Sequence, residues 1–299
     1  MQLYYNAVFD GILYSIMALG LYITFRILRF ADLTTEASFT LGAAVAVSLI
    51  SQGTNPIIAS LLAIVGGMLA GLITGILMTY FEIPSLLSSI ITLTGLYSVN
   101  LRVMQRPNIN LRGFDTVFSY LDSWVENPSN RVLIVGLLVV TICILLLASF
   151  FKTDLGQAMI ATGDNEIMAK SIGINSSRMK ILALMLANGL IGFCGAFIAQ
   201  NNGFADVTMG NGVVVIAMSS IVIGEVMFKN LSLTFRLVSI VIGSIIYQLI
   251  IVFVLQLGLH PTDFRLISAL VMAIFLAFPT VKNKFNTYRN QKRKGGISA

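Results

Sequence analysis

The chain has 299 residues, 57% of them hydrophobic and 11% charged, with a formal net charge of +6 and a mean hydropathy of +0.88. A soluble domain is nearer half apolar and a quarter charged, so a soluble enzyme of ordinary composition is excluded and lipid is the expected solvent for most of the chain. At about 20 apolar residues per span, the length accommodates roughly eight to ten spans, and the positive charge speaks to orientation in a membrane rather than to nucleic acid.

The opening MQLYYNAVFDG has no Lys or Arg before the first apolar run. That run is also too long for a signal-peptide core, so no cleavable signal is expected. Nine apolar segments follow, roughly at 6–26, 37–52, 56–80, 84–104, 131–151, 179–200, 212–228, 232–257 and 264–281. The second and seventh are short for a bilayer and read as half-helices or as spans with polar extensions. In the third, Gly67, Gly71 and Gly75 recur at a spacing of four, which puts them on one helix face and lets a neighbour approach closely. Segment 105–130 holds Asp115, Asp122, Glu126, Trp124 and two prolines; it reads as an extracellular cap with an interfacial aromatic. Cys143 and Cys194 lie inside apolar runs and read as small buried groups. The single histidine, His260, rules out a His-cluster metal site and reads as an interfacial residue.

The basic tail at 282–299, placed inside, puts the N-terminus outside after nine spans. Inner segments then carry fourteen of the nineteen Lys and Arg residues, including Arg26, Arg29, Lys152, Lys170, Arg178, Lys180, Lys229 and Arg236. Outer segments carry Arg102, Arg106, Arg112, Arg131 and Arg265. This bias favours the stated orientation over its inverse.

The string FADLT at Phe30–Thr34 recurs as FADVT at Phe204–Thr208, each before one of the short segments. The first and sixth spans are separated by an odd offset, so the two copies would run oppositely through the membrane. That predicts an inverted internal repeat whose short helices line a path. Asp32 and Asp206 read as N-caps of those helices, or as acidic groups beside a polar path. Thr34, Thr35, Glu36 and Thr208 belong to the same candidate set.

Segment 152–178, KTDLGQAMIATGDNEIMAKSIGINSSR, is longer than a connection needs. Asp154 is placed to cap a first short helix over 155–161, which Thr162-Gly163 breaks. Asp164 is placed to cap a second, from Asn165 to about Ile172, with Gly173 as a left-handed C-cap and Asn175, Ser176 and Ser177 capping the next span. Helices this short do not hold themselves in water, so Ile167, Met168 and Ile172 call for a docking surface, either lipid headgroups or a partner.

ATGDNEIMAKSIGIN at Ala161–Asn175 resembles the cytoplasmic coupling loop of permease subunits of bacterial ABC importers, in the branched-chain amino acid, ribose and nucleoside permease family. YSIMALGLYITFRILRFADLT, RPNIN at Arg106–Asn110, GFADVTMG at Gly203–Gly210 and LGLHPTDFRLISA at Leu257–Ala269 resemble a subgroup associated with aromatic amino acid uptake. DLTTEAS at Asp32–Ser38 is similar to a stretch of ribose-type permeases. GEVMFKN stands where branched-chain permeases carry a Gly-Pro turn, so their substrate class is not carried over. The resemblance implies one all-α polytopic permease domain over 1–299, with about nine spanning or half-spanning helices in the bacterial cell membrane and the C-terminus cytoplasmic. It implies ATPase coupling through Gly163, Asp164, Asn165, Glu166, Met168, Ala169, Gly173 and Asn175. It implies a homodimer, an ATPase dimer below and an extracytoplasmic solute-binding lipoprotein above.

The chain has no G-x-x-x-x-G-K-[ST], H-E-x-x-H or G-x-S-x-G pattern, so ATP hydrolysis by a phosphate loop must come from another polypeptide. The expectation is a non-catalytic subunit that binds no cofactor itself, with ATP and Mg²⁺ on its partner. Its solute is a small one, most readily an amino acid, with a nucleoside, sugar or heterocyclic vitamin precursor as the alternative. An ion-coupled secondary transporter is the competing class, with Asp32, Asp206, Glu36 and Glu225 as its available acidic groups.

Overall fold

Apolar runs of span length, bounded by Asn, Pro and Gly, give long helices in the computed structural model, which describes residues 2–125, 127–228, 231–256, 266–275 and 277. Helices α1 (Gln2–Tyr22), α2 (Thr34–Ser51), α3 (Pro56–Thr79), α4 (Ser85–Met104) and α5 (Pro128–Phe150) are followed by two short ones, α6 (Asp154–Asp164) and α7 (Glu166–Ser171). Then come α8 (Ser176–Asn202), α9 (Val213–Met227), α10 (Leu233–Gln256) and α11 (Leu266–Phe275). Seven of these, α1 to α5, α8 and α10, are long and apolar enough to cross a membrane, whereas α9 and α11 are shorter. The second apolar segment is longer than expected. Its helix begins at Thr34 because Thr34 and Thr35 find hydrogen-bond partners inside the bundle, so polar residues extend it. His260, Lys229, Arg265, Glu126 and the tail 282–299 lie outside the described residues.

Helix α8 is the centre of the bundle. Glycines admit its neighbours: a Cβ on Gly67 would lie 2.1 Å from the Asn188 carbonyl oxygen, and one on Gly71 2.2 Å from that of Leu184. Gly75 meets Ile181, so α3 and α8 run antiparallel along the glycine stripe. Further along α8, Gly195 rests on the Phe39 carbonyl of α2. Helix α1 is also antiparallel to α8, with Asp10 opposite Asn201, Leu13 opposite Cys194 and Gly20 opposite Ala187. Leu87, Ile91, Leu138 and Leu146 are exposed on α4 and α5, the faces that lipid would cover.

Helix α1 does not end simply. Ile23–Ile27 forms a π-helical turn, a form often placed at functional sites, and Arg29 follows with φ of 60°. The second FAD string is a strand, not the start of a helix. Phe204–Asp206 (β2) pairs antiparallel with Asn108–Asn110 (β1), and α9 begins seven residues later. Two stretches singled out by resemblance, RPNIN and GFADVT, therefore form one small sheet at the end of the bundle opposite α6 and α7.

Candidate functional site

At one end of the bundle, α6 and α7 are displayed on the tips of α1 and α8. Thr153, rather than Asp154, caps α6, its hydroxyl accepting from the Gly156 N–H. Helix α6 runs through Gly163 without a break and ends at Asp164. The reason is tertiary: a Cβ on Gly163 would fall 1.8 Å from the Ile27 carbonyl oxygen. The glycine is a contact point where α6 lies on the π-helical turn. Asn165, not Asp164, caps α7, accepting from the Met168 N–H at 3.0 Å. Asp164 instead pairs with Arg29 at 2.7 Å.

Helix α7 is too short to stand alone. Glu166 ties it down, accepting from Lys180 of α8 at 2.7 Å and from Lys170 at 3.0 Å. Lys180 foremost, with Lys170, holds the Glu166 carboxyl below the usual carboxylate range. Ala169 is fully buried and faces the bundle, so it seats the helix and is not available to a partner. Gly173 is left-handed with φ of 89°, and Asn175 caps α8 through the Arg178 N–H. The outward face carries Ile167, Met168 and Ile172, exposed by 83%, 54% and 64%. A second tie joins the same end of α1 to α9, Arg26 to Glu225 at 2.7 Å.

Deeper in the bundle lies a polar cluster. Asp32 is buried. One carboxylate oxygen accepts from the Thr34 N–H at 2.9 Å and the other from the Asn188 side chain at 2.8 Å. It therefore closes a turn onto the Thr34 N–H rather than capping α2, whose cap position is Leu33 with no side-chain bond. The Thr34 hydroxyl meets that of Thr74, which donates to Thr92. Asn188 Oδ1, Ser38 Oγ and Asn100 Oδ1 are buried with no partner among the described residues.

Asp206 has other surroundings. It accepts from the N–H and hydroxyl of Thr208 at 2.8 and 2.6 Å and from Asn108 at 3.4 Å. The Thr208 hydroxyl holds its carboxyl below the ordinary range. It does not cap α9, whose cap position is Gly212. Glu36 takes the Gly212 N–H at 2.8 Å, and a Cβ on Gly210 would lie 2.0 Å from the Glu36 carbonyl oxygen.

A profile described as "Branched-chain amino acid transport system / permease component" matches residues 3–277. The chain belongs to this permease family. It is similar to a tyrosine transport system permease protein of Clostridioides difficile, 43% identical over 268 residues, which cover 90% of this chain and 88% of that one. It is more distantly similar to an autoinducer 2 import system permease protein of Yersinia pestis, 26% identical over 220 residues, 73% of this chain and 60% of that one. PsaBC from Streptococcus pneumoniae, solved in complex with Fab, shares the fold at a TM-score of 0.50 and 18% identity, over 90% of this chain and 89% of that one. Family and helices together make the chain a multi-pass membrane permease.

The permease thus gathers its candidates in three places. Gly163, Asp164, Asn165, Glu166, Met168, Gly173 and Asn175 stand together at the α6–α7 end. Asp32, Thr34 and Thr35 join the buried cluster around Asn188. Asp206 and Thr208 belong to the β1–β2 end, with Glu36 bridging from α2. Arg29 and Asn188 were not singled out as site residues. Asn188 had a signal, a polar residue in an apolar span. Arg29 had none, because its partner is 135 positions away.

Proposed function

We propose that this chain is the membrane-spanning subunit of an ATP-driven importer that brings a small solute, an amino acid and preferably an aromatic one, into the cytoplasm by alternating access. The observation that carries the reading is α7. It is a six-residue helix fixed by Glu166 to α8, with α6 resting on the tip of α1, and it presents three exposed apolar side chains outward. Such a helix is built to be gripped and to pass a displacement to two spans at once.

In this reading the α6–α7 end is cytoplasmic, as the Lys and Arg distribution favours. An ATPase dimer holding ATP and Mg²⁺ docks on α7. Two copies of the chain enclose the path, and a solute-binding lipoprotein meets the end that carries β1 and β2. This chain does no chemistry itself; segment 105–130 caps the outer end and 282–299 is a basic cytoplasmic tail. The named tyrosine permease relative supports an aromatic amino acid. The buried cluster around Asp32 and Asn188 supplies polar groups along the moving α2–α8 contact.

The test is uptake into proteoliposomes holding the permease, its ATPase subunit and the cognate binding protein. Labelled tyrosine, phenylalanine, leucine, a nucleoside and a sugar are compared with and without ATP. ATP-dependent uptake of the aromatic amino acids supports the reading. Uptake driven by an ion gradient without ATP overturns it.

A further inference from the structure

We propose that the cavity between α1, the first turn of α9, α10 and α11 is a binding site within one protomer for a zwitterionic amino acid with an aromatic side chain. The proposal rests on the importer reading and deepens it. The cavity measures about 330 Å³, within the range of small-molecule sites, and is lined by Asp10, Tyr14, Asn211, Val213, Ile216 and Gln248 among others.

Each part of such a solute meets a matching group. Asp10 forms no ion pair among the described residues; its carboxylate receives only the Asn201 side chain at 3.4 Å. An acidic group on a spanning helix calls for a cationic or hydrogen-bonding partner, and the ammonium of an amino acid supplies one. Across the cavity is the first turn of α9, fifteen residues long, capped by Gly212 with no side chain to fill the position. Glu36 accepts the Gly212 N–H there, and the Val213 and Val215 N–H groups turn back to the Gly210 and Gly212 carbonyls; a carboxylate would meet the positive field of the helix end, with Asn211 beside it on the cavity wall.

Gln248 is the observation that most directly points to a ligand. It is only 7% exposed, lines the cavity and makes no side-chain hydrogen bond among the described residues. Its amide opens onto the cavity with no protein group to meet it among the described residues. With one acceptor and two donors it fits a polar tip such as a phenol. Val213 and Ile216 are apolar walls, and the Tyr14 ring, parallel to Phe39 within 9° at 6.2 Å, is a flat one. A ring lying between these walls places its backbone zwitterion toward Asp10 and α9.

The experiment measures equilibrium binding of labelled L-tyrosine to the permease–ATPase complex in nanodiscs without the binding protein, alongside ATP-driven uptake by the full assembly. Saturable binding is expected. Asp10→Asn and Gln248→Leu should each weaken it by at least about tenfold, and Asp10→Glu should retain more than Asp10→Asn. Tyramine, lacking the carboxylate, should compete poorly. A cysteine introduced by Asn211→Cys, at an exposed cavity position, should react with maleimide more slowly when tyrosine is present; this arm keeps the proposal testable if an Asp10 variant fails to fold. Wild-type uptake together with unaltered binding in both variants, or with unprotected Asn211→Cys, would overturn the site and leave the importer reading standing. Absence of ATP-driven uptake by the complete wild-type assembly overturns the importer reading and the site with it.

Discussion

Glu36, one turn beyond Asp32, accepts a hydrogen bond at 2.8 Å from the backbone N–H of Gly212, six residues beyond Asp206. The neighbourhoods of the two FAD strings therefore meet through a carboxylate of α2 at the start of α9. Gly210 against the Glu36 carbonyl brings the loop close enough for that bond.

A cap acceptor is typically worth about 1 kcal/mol. Glu36→Gln keeps an acceptor and should lower the melting temperature of the purified permease little. Glu36→Ala leaves the N–H unserved and should cost about 1 kcal/mol, read as a lower melting temperature. Equal melting of the two variants would remove this contact from the stability of the fold.

Asp32 distinguishes a structural hydrogen-bond acceptor from a charge required on the path. Asparagine can still serve the Thr34 N–H, and Asn188 can turn its unpartnered Oδ1 toward the new amide. Asp32→Asn should therefore fold and transport nearly normally. Asp32→Ala leaves the Thr34 N–H without its acceptor and Asn188 with only the Leu184 carbonyl, and should cost about 1–3 kcal/mol. Lost uptake in a stable, inserted Asp32→Asn protein would show instead that the charge serves transport.

Gly163→Ala tests the seat of α6. The added methyl has no room against Ile27, and overpacking typically costs about 1–3 kcal/mol. The variant should show reduced ATP-driven uptake while α8 remains inserted. Normal uptake would mean that α6 and the π-helical turn are not mechanically joined.

The Glu166 tether has a defined pH response. Its carboxyl is held below the usual 4.5, so its contribution is complete above that value and is lost as pH falls through the lowered one. Because the group is partly exposed, the effect is about 1 kcal/mol or less. The protection factors of the α7 amides, which remove the intrinsic pH dependence of exchange, should be level down to about pH 4.5 in wild type and fall below it. Glu166→Gln should have lower protection factors at neutral pH and show no such fall.

Most of the spans were legible because lipid demands long apolar runs and their ends carry Asn, Pro and Gly. Gly173 and Asn175 act locally, on their own helix ends, and so could be read from order alone. Gly67, Gly71 and Gly75 were legible as a stripe, though the partner, α8, was not. Gly163 was misread as a helix breaker because its close neighbour, Ile27, lies far away in sequence. Asp206 was misread as a helix cap because β1, its strand partner, is about a hundred residues earlier. The division between Asp164 and Asn165 turned on Arg29, again a long-range partner. Local chemistry was readable; contacts between distant segments were not.

The most direct test of the coupling account is the initial rate of ATP-dependent tyrosine uptake by the reconstituted Met168→Asp assembly. Burying an unpaired carboxylate in a groove of the ATPase costs several kcal/mol, so uptake should fall by at least about tenfold, with the ATPase dissociating from a properly inserted permease. Wild-type uptake and retained ATPase in that variant would contradict α7 as the site through which ATP drives transport.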